Sequence, residues 1–321
     1  MAGLPWGLIR LLADGKSHSG QALGGELGVS RAAVWKMMQQ LESAGLRIES
    51  VKGQGYRIPQ GLDLLDAERI RQAIPLPSSA FLSSLVVFPQ IASTNATLME
   101  PGYDSGAVVL AEQQSAGRGR RGRVWVSPLA ANMYLSIRWH FSDGIASLEG
   151  LSLAVGVALA EALETLGLEH IQLKWPNDLW LAGKKVGGVL VEVGGDVNGD
   201  CHAVIGVGMN VAMPPHLSDS IGQPWTDLAS AGYRAGRNRL ASVLIDYLLY
   251  MLSDYQQKGF GHYRERWLAR NGLANKAVVV SGAQALEGTV VGLSDNGGLV
   301  IATSAGEQVI SGGEVSIRAV Q

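Results

Sequence analysis

"SGQALGGELGVSRAAVWKMMQQLESAGL", residues 19–46, decides the first unit of the fold. Two short helical patterns meet across a Gly-bearing turn. Ser19 and Ser30 each precede a helix-forming run, where a hydroxyl accepts from the free N–H groups of the first turn. Gly28 suits the left-handed backbone of the turn, and Gly45 marks the end of the second helix. A small residue at Gly24 lets the helices approach, and Val34 packs beneath the turn. Val34, Met37 or Met38, and Leu41 recur at helical spacing and face a core.

On one side lies "WGLIRLLADG" (6–15), a short amphipathic helix. On the other lies "RIESVKGQGYRIP" (47–59), two β runs around a Gly turn, ended by Pro59. Helix, helix-turn-helix and hairpin make a winged helix-turn-helix. Residues 1–60 hold seven Lys/Arg against four Asp/Glu, whereas the whole chain has a net charge of -2. Positive charge therefore favours this end, as phosphate contact requires. The expected DNA-facing residues are Gly20 and Gln21 on the first helix of the pair, and Ser30, Arg31, Lys36, Gln39 and Gln40 on the second. Lys52 and Arg57 supply the wing. Trp35 packs either on a backbone sugar or on the hydrophobic face. The alternative to DNA binding is a small helical interaction domain.

At 321 residues the chain suggests two or three domains. Its 42 glycines imply many tight turns and close backbone approaches. A pI of 6.3 excludes a uniformly basic protein, so any basic surface is local. The one cysteine, Cys201, cannot form an internal disulfide; it heads an apolar strand pattern and reads as a core or edge residue in a reducing compartment. The N-terminus lacks the pattern of a secretory signal. The longest uncharged apolar run, residues 150–160, is too short to span a bilayer. A soluble, cytoplasmic protein with no membrane partner is expected.

The expected organisation is a winged domain over 1–62, a linker over 63–80, a central domain over 81–270 and a small domain over 271–321. "DLLDAERIRQAIPLPSSA" (63–80) reads as a helix and a Pro/Ser linker. From 81 to 270, strand patterns alternate with two long helical runs, "SLEGLSLAVGVALAEALETLG" and "RNRLASVLIDYLLYMLSDYQQKG", the second ended by Gly259. Asn198 and Gly199 read as a hairpin turn. The last segment has short strands with Gly turns, a small SH3-like β-barrel. The fold class is multidomain α+β, with a mixed sheet at the centre.

The chemistry concentrates in "AGRGRRGR", residues 116–123, with four arginines and three glycines. It lacks the spacing of a P-loop or a dinucleotide fingerprint. Glycines let backbone N–H groups approach an anion; arginines supply permanent, bidentate donors. Such a loop suits a substrate with several negative oxygens, and can order when that substrate arrives. The alternatives are a solvated basic loop or a nucleic-acid contact. Trp125 either anchors the loop or belongs to the core. "KWPNDLW" (174–180) ends a strand with a cation, a rigid turn, an amide and a carboxylate. "GKKVGGVLVE" (183–192) starts a strand with Lys185 and follows with paired glycines. Lys174 and Lys185, both at strand ends, can point into one cleft. In "ASTNAT" (92–97), Ser93, Thr94 and Asn95 sit where a strand gives way to a helix, either facing a ligand or serving as a plain N-cap. The six histidines show no metal-ligand spacing, so no protein metal site is expected. No Ser-His-Asp order or Cys-His pair stands out.

"STN", "EQQSAGRGRRGR", "KWPND", "KVGG" and "GVGMN", in that order, resemble the biotin protein ligases. With the winged domain the chain resembles the bacterial family of bifunctional biotin ligases and biotin operon repressors over essentially its whole length. The resemblance implies that biotin and Mg-ATP (with Mg2+ as the nucleotide's ion) give biotinyl-AMP and pyrophosphate. A lysine of the biotin carboxyl carrier protein of acetyl-CoA carboxylase then takes the biotin and releases AMP. It also implies that the adenylate-bound homodimer represses the biotin operon by binding a two-fold operator DNA.

By motif match, Ser93, Thr94 and Asn95 hold the ring end of biotin. Gln114, Arg118, Gly119 and Arg120 enclose its other side. Arg120 and Arg121 bind the phosphate and leaving group. Lys185 stands by the biotin carboxylate, and Gly188 allows close approach behind it. Lys174, Asn177 and Asp178 meet ATP, the metal or the incoming amine. Asn210 contacts the nucleotide. Trp225 stacks on adenine or makes a hydrophobic lid contact. The rival readings are a biotin-sensing regulator without transfer, a lipoate-type ligase, and a ligase whose winged domain no longer binds DNA.

Overall fold

Hydroxyl caps start both helices of the turn motif. The computed structural model describes residues 3–196, 199–281, 286–311 and 316–319. It begins with α1 (Trp6–Leu12), α2 (Gly20–Leu27) and α3 (Arg31–Ser43). Ser19 Oγ accepts from the Ala22 N–H at 3.1 Å, and Ser30 Oγ accepts from the Ala33 N–H at 3.2 Å. Gly28 ends α2 at φ 65°. The wing is β1 (Glu49–Val51) against β2 (Gly55–Arg57), and His18 and Tyr56 exchange both backbone hydrogen bonds beside it. Leu8, Ile9, Leu12, Leu23, Val34, Met38, Leu41 and Ile58 form the core of this unit, with Met38 rather than Met37 turned inward. One further member, Leu129, comes from the central part of the chain.

The segment expected as a linker is instead packed. It holds α4 (Ala67–Gln72), and Leu65, Ile70 and Ile74 join the main core. Its prolines and serines shape the chain's course without keeping those apolar residues out. A buried ion pair ties it down: Arg237 Nη2 donates to Glu112 Oε2 at 2.5 Å, with the side chains 4% and 2% exposed. Glu112 Oε1 accepts from the Leu65 N–H at 2.5 Å. Arg237 also donates to the carbonyls of Asp63 and Asn132, at 3.0 and 3.1 Å.

The central unit follows as β3 (Ser84–Phe88), α5 (Thr94–Met99), β4 (Ala107–Ala111), β5 (Met133–Phe141), α6 (Leu151–Thr165), β6 (Gln172–Lys174), β7 (Asp178–Leu181), β8 (Lys184–Gly195), β9 (Cys201–Met209), α7 (Arg237–Lys258) and α8 (Gly261–Leu268). The strands form one mixed sheet in the order β3-β4-β5-β9-β8-β7-β6. Only β3 and β4, joined through α5, run parallel. The long helices α6 and α7 cover one face, where Val108, Leu110, Leu135, Ile137, Val189, Ile205 and Val207 meet Leu159, Leu163, Leu244 and Leu248. Among the described residues the opposite face carries a small cluster under α5, made by Leu98, Ala107, Val109 and Val204. The rest of that face is left for a cleft. Cys201 heads β9 and is buried, as expected of a core residue.

Residues 145–165 form the one stretch among those described that is long and apolar enough to cross a bilayer. It is the mostly buried core helix α6 with the turn before it. The short helix α8 carried no clear sequence signal; it buries only Tyr263 and Trp267, one turn apart.

The last unit has β10 (Ala277–Ser281), β11 (Leu286–Leu293), β12 (Leu299–Thr303), β13 (Gly306–Ile310) and β14 (Ser316–Ala319). These form an antiparallel sheet in the order β13-β12-β11-β10-β14, the β-rich third unit that the sequence pattern predicts. It is not a separate bead. Val278, Val290 and Leu299 share the main core, and Trp175 Nε1 donates to the Gly297 carbonyl at 2.9 Å. The third unit therefore buttresses the "KWPND" turn. Asn198 of the expected hairpin turn lies outside the described residues, as do residues 312–315.

Candidate active site

A β-bulge builds the cleft. Trp180 pairs with Lys185 and Leu179 with Gly187, so Val186 is an extra residue in β8. Lys185 and Gly188, three apart, therefore share a face that strict alternation would deny them. One transverse row of the sheet reads Lys174, Asp178, Gly188, Gly208 across β6, β7, β8 and β9. The Lys185 ammonium lies over Gly188, where a Cβ would stand 3.3 Å from Nζ. It pairs with Asp178 Oδ1 at 2.6 Å, each side chain 15% exposed. Trp125 lies against the next residue in the row, and a side-chain carbon on Gly208 would overlap its ring. The ring centroid stands 5.5 Å from Lys185 Nζ. Trp125 Nε1 is buried with no hydrogen-bond partner.

The arginine loop is a hairpin over this row. Gly119 N–H donates to the Arg123 carbonyl at 2.7 Å, and Trp125 N–H to the Gly117 carbonyl at 2.9 Å. Arg121 forms the exposed tip at φ 60°. Arg120 turns inward, donating to Asn177 Oδ1 at 3.4 Å, while Asn177 Nδ2 donates to the Val189 carbonyl at 2.6 Å. Burial pushes the Arg120 pKa down; Asp178 opposes that, and Arg121 and Arg123 add to it. Burial likewise lowers Lys174, against Asp178 and with Lys185, Arg318 and Arg123. Several cations thus crowd one carboxylate. Such an arrangement lowers its own repulsion by taking up an anion.

The other end of the cleft is neutral. Thr94 donates from N–H and Oγ1 to Gln114 Oε1, at 2.9 and 3.2 Å, and Gln114 Nε2 donates to Ser127 Oγ at 3.2 Å. Ser93 Oγ caps α5. Asn95 lies over Gly206, whose missing side chain gives its amide room. Its Oδ1 accepts from the Ser136 hydroxyl at 2.5 Å; its Nδ2 donates to the Leu190 carbonyl at 3.2 Å and to Glu192 Oε2 at 2.8 Å. Glu192 Oε2 also takes Arg118 Nη2 at 3.0 Å.

The structure thus brings together Ser93, Thr94, Asn95, Gln114, Arg118, Gly119, Arg120, Lys174, Asn177, Asp178, Lys185 and Gly188. Asn95, expected as a direct contact, is engaged at both ends by protein atoms and orders its neighbours. Arg121 points away from the row, at the tip. Asn210 Nδ2 donates to the Thr226 carbonyl at 3.0 Å, which pins the Trp225 loop along β8. Lys185 then pairs with that loop through Pro224 and Thr226, so Trp225 lies beside Lys185 along the backbone. Sequence reasoning missed Glu192, Ser136, Ser127 and Arg318. Glu192 was within reach, since it alternates with Gly188 and Leu190 onto the cleft face. The other three depend on register and on packing between units.

On the winged unit, Gln21, Ser30, Arg31, Lys36, Gln39, Gln40 and Lys52 are exposed. Gly20 is not: it is buried beneath the Arg31 stem, which corrects its placement at a DNA face. Arg57 is tied to Glu49 at 2.9 and 3.1 Å. Trp35 is 54% exposed on α3, so it does not belong to the hydrophobic face.

Three family models match: an HTH domain over residues 8–57, the Biotin/lipoate A/B protein ligase family over 87–210, and the Biotin protein ligase C terminal domain over 275–318. A bifunctional ligase/repressor, BirA of Salmonella typhimurium, is 39% identical, with 99% of this chain and 98% of the relative covered. This chain belongs to the bifunctional ligase/repressor family. The Escherichia coli K12 member is 38% identical over the same shares. A solved biotin protein ligase from Aquifex aeolicus, in complex with biotin and ATP, is 29% identical with a TM-score of 0.66, covering 74% of this chain and 100% of that one. In this bifunctional ligase/repressor the cation row sits in the central unit and the exposed α3 face in the first.

Proposed function

We propose that this chain activates biotin with ATP, transfers it to a lysine of the biotin carboxyl carrier protein, and represses biotin synthesis as an adenylate-bound dimer on operator DNA. The observation that carries the enzyme reading is the row Lys174–Asp178–Gly188–Gly208 with Lys185 lodged over its glycine. It offers fixed cations in a half-buried cleft, with a neutral amide-rich end alongside. A small ligand with a polar ring and a carboxylate tail fits that polarity.

In the first step the biotin carboxylate attacks the α-phosphorus and pyrophosphate leaves. Lys185 and Arg120 balance charge as it builds on the phosphoryl oxygens. In the second, the carrier lysine attacks the acyl carbon and AMP leaves with the electron pair. In this reading Asp178 takes a proton from that amine. The arginine hairpin keeps water from the mixed anhydride. Mg2+ enters with ATP as its counter-ion; among the described residues no group of three His, Cys, Asp or Glu gathers to hold one. Asp178 and Asn177 would be the residues that meet the ion when it arrives with the nucleotide. All of this chemistry fits the cytoplasm, where ATP and apo carrier meet.

The test incubates purified protein with biotin, Mg-ATP and apo carrier domain, and reads the adduct by intact mass. An adduct on the carrier lysine supports the reading. Biotin binding without transfer turns it to a sensing regulator; labelling by lipoate instead turns it to the lipoate-type ligase. Two variants probe the geometry. Arg120→Gly is expected to let biotinyl-AMP escape, labelling bystander proteins, and tight retention would remove Arg120 from that role. Gly208→Val is expected to push Trp125 off the sheet and raise the KM for biotin about fivefold to a hundredfold, since overpacking commonly costs about 1–3 kcal/mol. An unchanged KM would mean the ring is not part of the site.

A further inference from the structure

We propose that Glu192 is a positioning residue that latches the arginine hairpin to the sheet and locks the orientation of Asn95 in the same act. The inference deepens the ligase reading and rests on it for its second readout. The two contacts share one oxygen: Glu192 Oε2 accepts from Arg118 Nη2 at 3.0 Å and from Asn95 Nδ2 at 2.8 Å. Arg118 belongs to the hairpin, Asn95 to α5 and Glu192 to β8, so three separate pieces of the cleft meet at one carboxylate.

The hairpin's backbone bonds set its shape, not its distance from the sheet. That distance depends on attachments such as Trp125 on Gly208 and Arg118 on Glu192. Glu192 is 28% exposed and Arg118 44%, so the pair lies at the rim, where it can open and reclose. A fully buried pair would be a fixed strut, whereas a half-exposed charge-assisted bond has the strength of a catch. Asn95 adds direction. Its Nδ2 faces two acceptors, Glu192 and the Leu190 carbonyl, and its Oδ1 faces the Ser136 hydroxyl. Taking away the carboxylate frees the hairpin and removes one of the two groups that hold the amide's orientation. Loop closure and the order of the ring end are then a single coupled event.

The full-length protein tests this with two readouts. The first, without ligand, is the rate of trypsin cleavage at the hairpin arginines followed by mass, which tracks the open population. The second is the release rate of biotinyl-AMP formed in place. Glu192→Ala is expected to speed both about twofold to fivefold. Arg118→Ala with Glu192→Ala is expected to release the adenylate no faster than either single variant, because one latch is broken once. Glu192→Gln keeps an acceptor for Asn95 and is expected to hold the KM for biotin near wild type while the adenylate leaves as fast as from Glu192→Ala. It also carries the test if the alanine variant fails to fold. Multiplying effects in the double variant, or unchanged cleavage and release in Glu192→Ala and Glu192→Gln, overturn the latch while the ligase reading stands. Faster cleavage in a protein whose wild type forms no biotinyl-AMP would keep the latch and sink the ligase reading instead.

Discussion

Arg237→Ala is expected to destabilise the protein by about 3–5 kcal/mol, the largest stability effect of any substitution named here. The reason is what it leaves behind. Glu112 is 2% exposed and would be left buried with only the Leu65 N–H donating to its carboxyl group. The Asp63 and Asn132 carbonyls would lose their donor as well. The measurement is urea unfolding, comparing the midpoints of Arg237→Ala, Glu112→Leu and the pair together. The double variant is expected to lose less than Arg237→Ala alone, because removing both charges ends the uncompensated burial. A loss under about 1 kcal/mol for the single variant would mean that water reaches the site, as a surface pair allows. The effect should reach the cleft too. Glu112 stands two residues before Gln114, so slack at this junction is expected to raise the KM for biotin.

Lys185→Ala is expected to lower the rate of adenylation by about a hundredfold to a thousandfold, the usual loss on removing one fixed electrostatic donor. Its fold should survive, since Asp178 keeps Lys174 as its neighbour in the row. Lys185→Arg should rescue little. The ammonium lies so close over Gly188 that a Cβ there would stand 3.3 Å from Nζ, and a planar guanidinium needs more room. Pyrophosphate release from biotin and ATP reads the step directly. Activity within about tenfold of wild type would place the critical cation elsewhere, Arg120 first among the candidates.

What could be read in the chain was local chemistry. Ser19, Ser30 and Gly28 announce the turn motif because a cap or a left-handed residue acts within four positions of itself. The cleft's cations were visible as residue types in motifs, but not their arrangement. That arrangement depends on the Val186 bulge, a property of register between two strands that no single strand displays. Arg318 was out of reach for the same reason, since it arrives from the last strand of another unit. In the segment over 63–80 the helix was legible and is α4, but its packing was not. Pro75 and Pro77 signal an open linker, while Leu65, Ile70 and Ile74 do the packing.

Leu129 carries a lesson for anyone who wants the ligase alone. It leaves the arginine hairpin, crosses to the winged unit and completes that unit's core. A construction that begins after Pro59 would strand it in water with Leu62, Leu64 and Ala130 beside it. Burying one leucine is worth about 1.5–3 kcal/mol, so the stump would be sticky as well as loose. A trimmed enzyme made from this chain should therefore carry a polar side chain at 129, or be expected to precipitate.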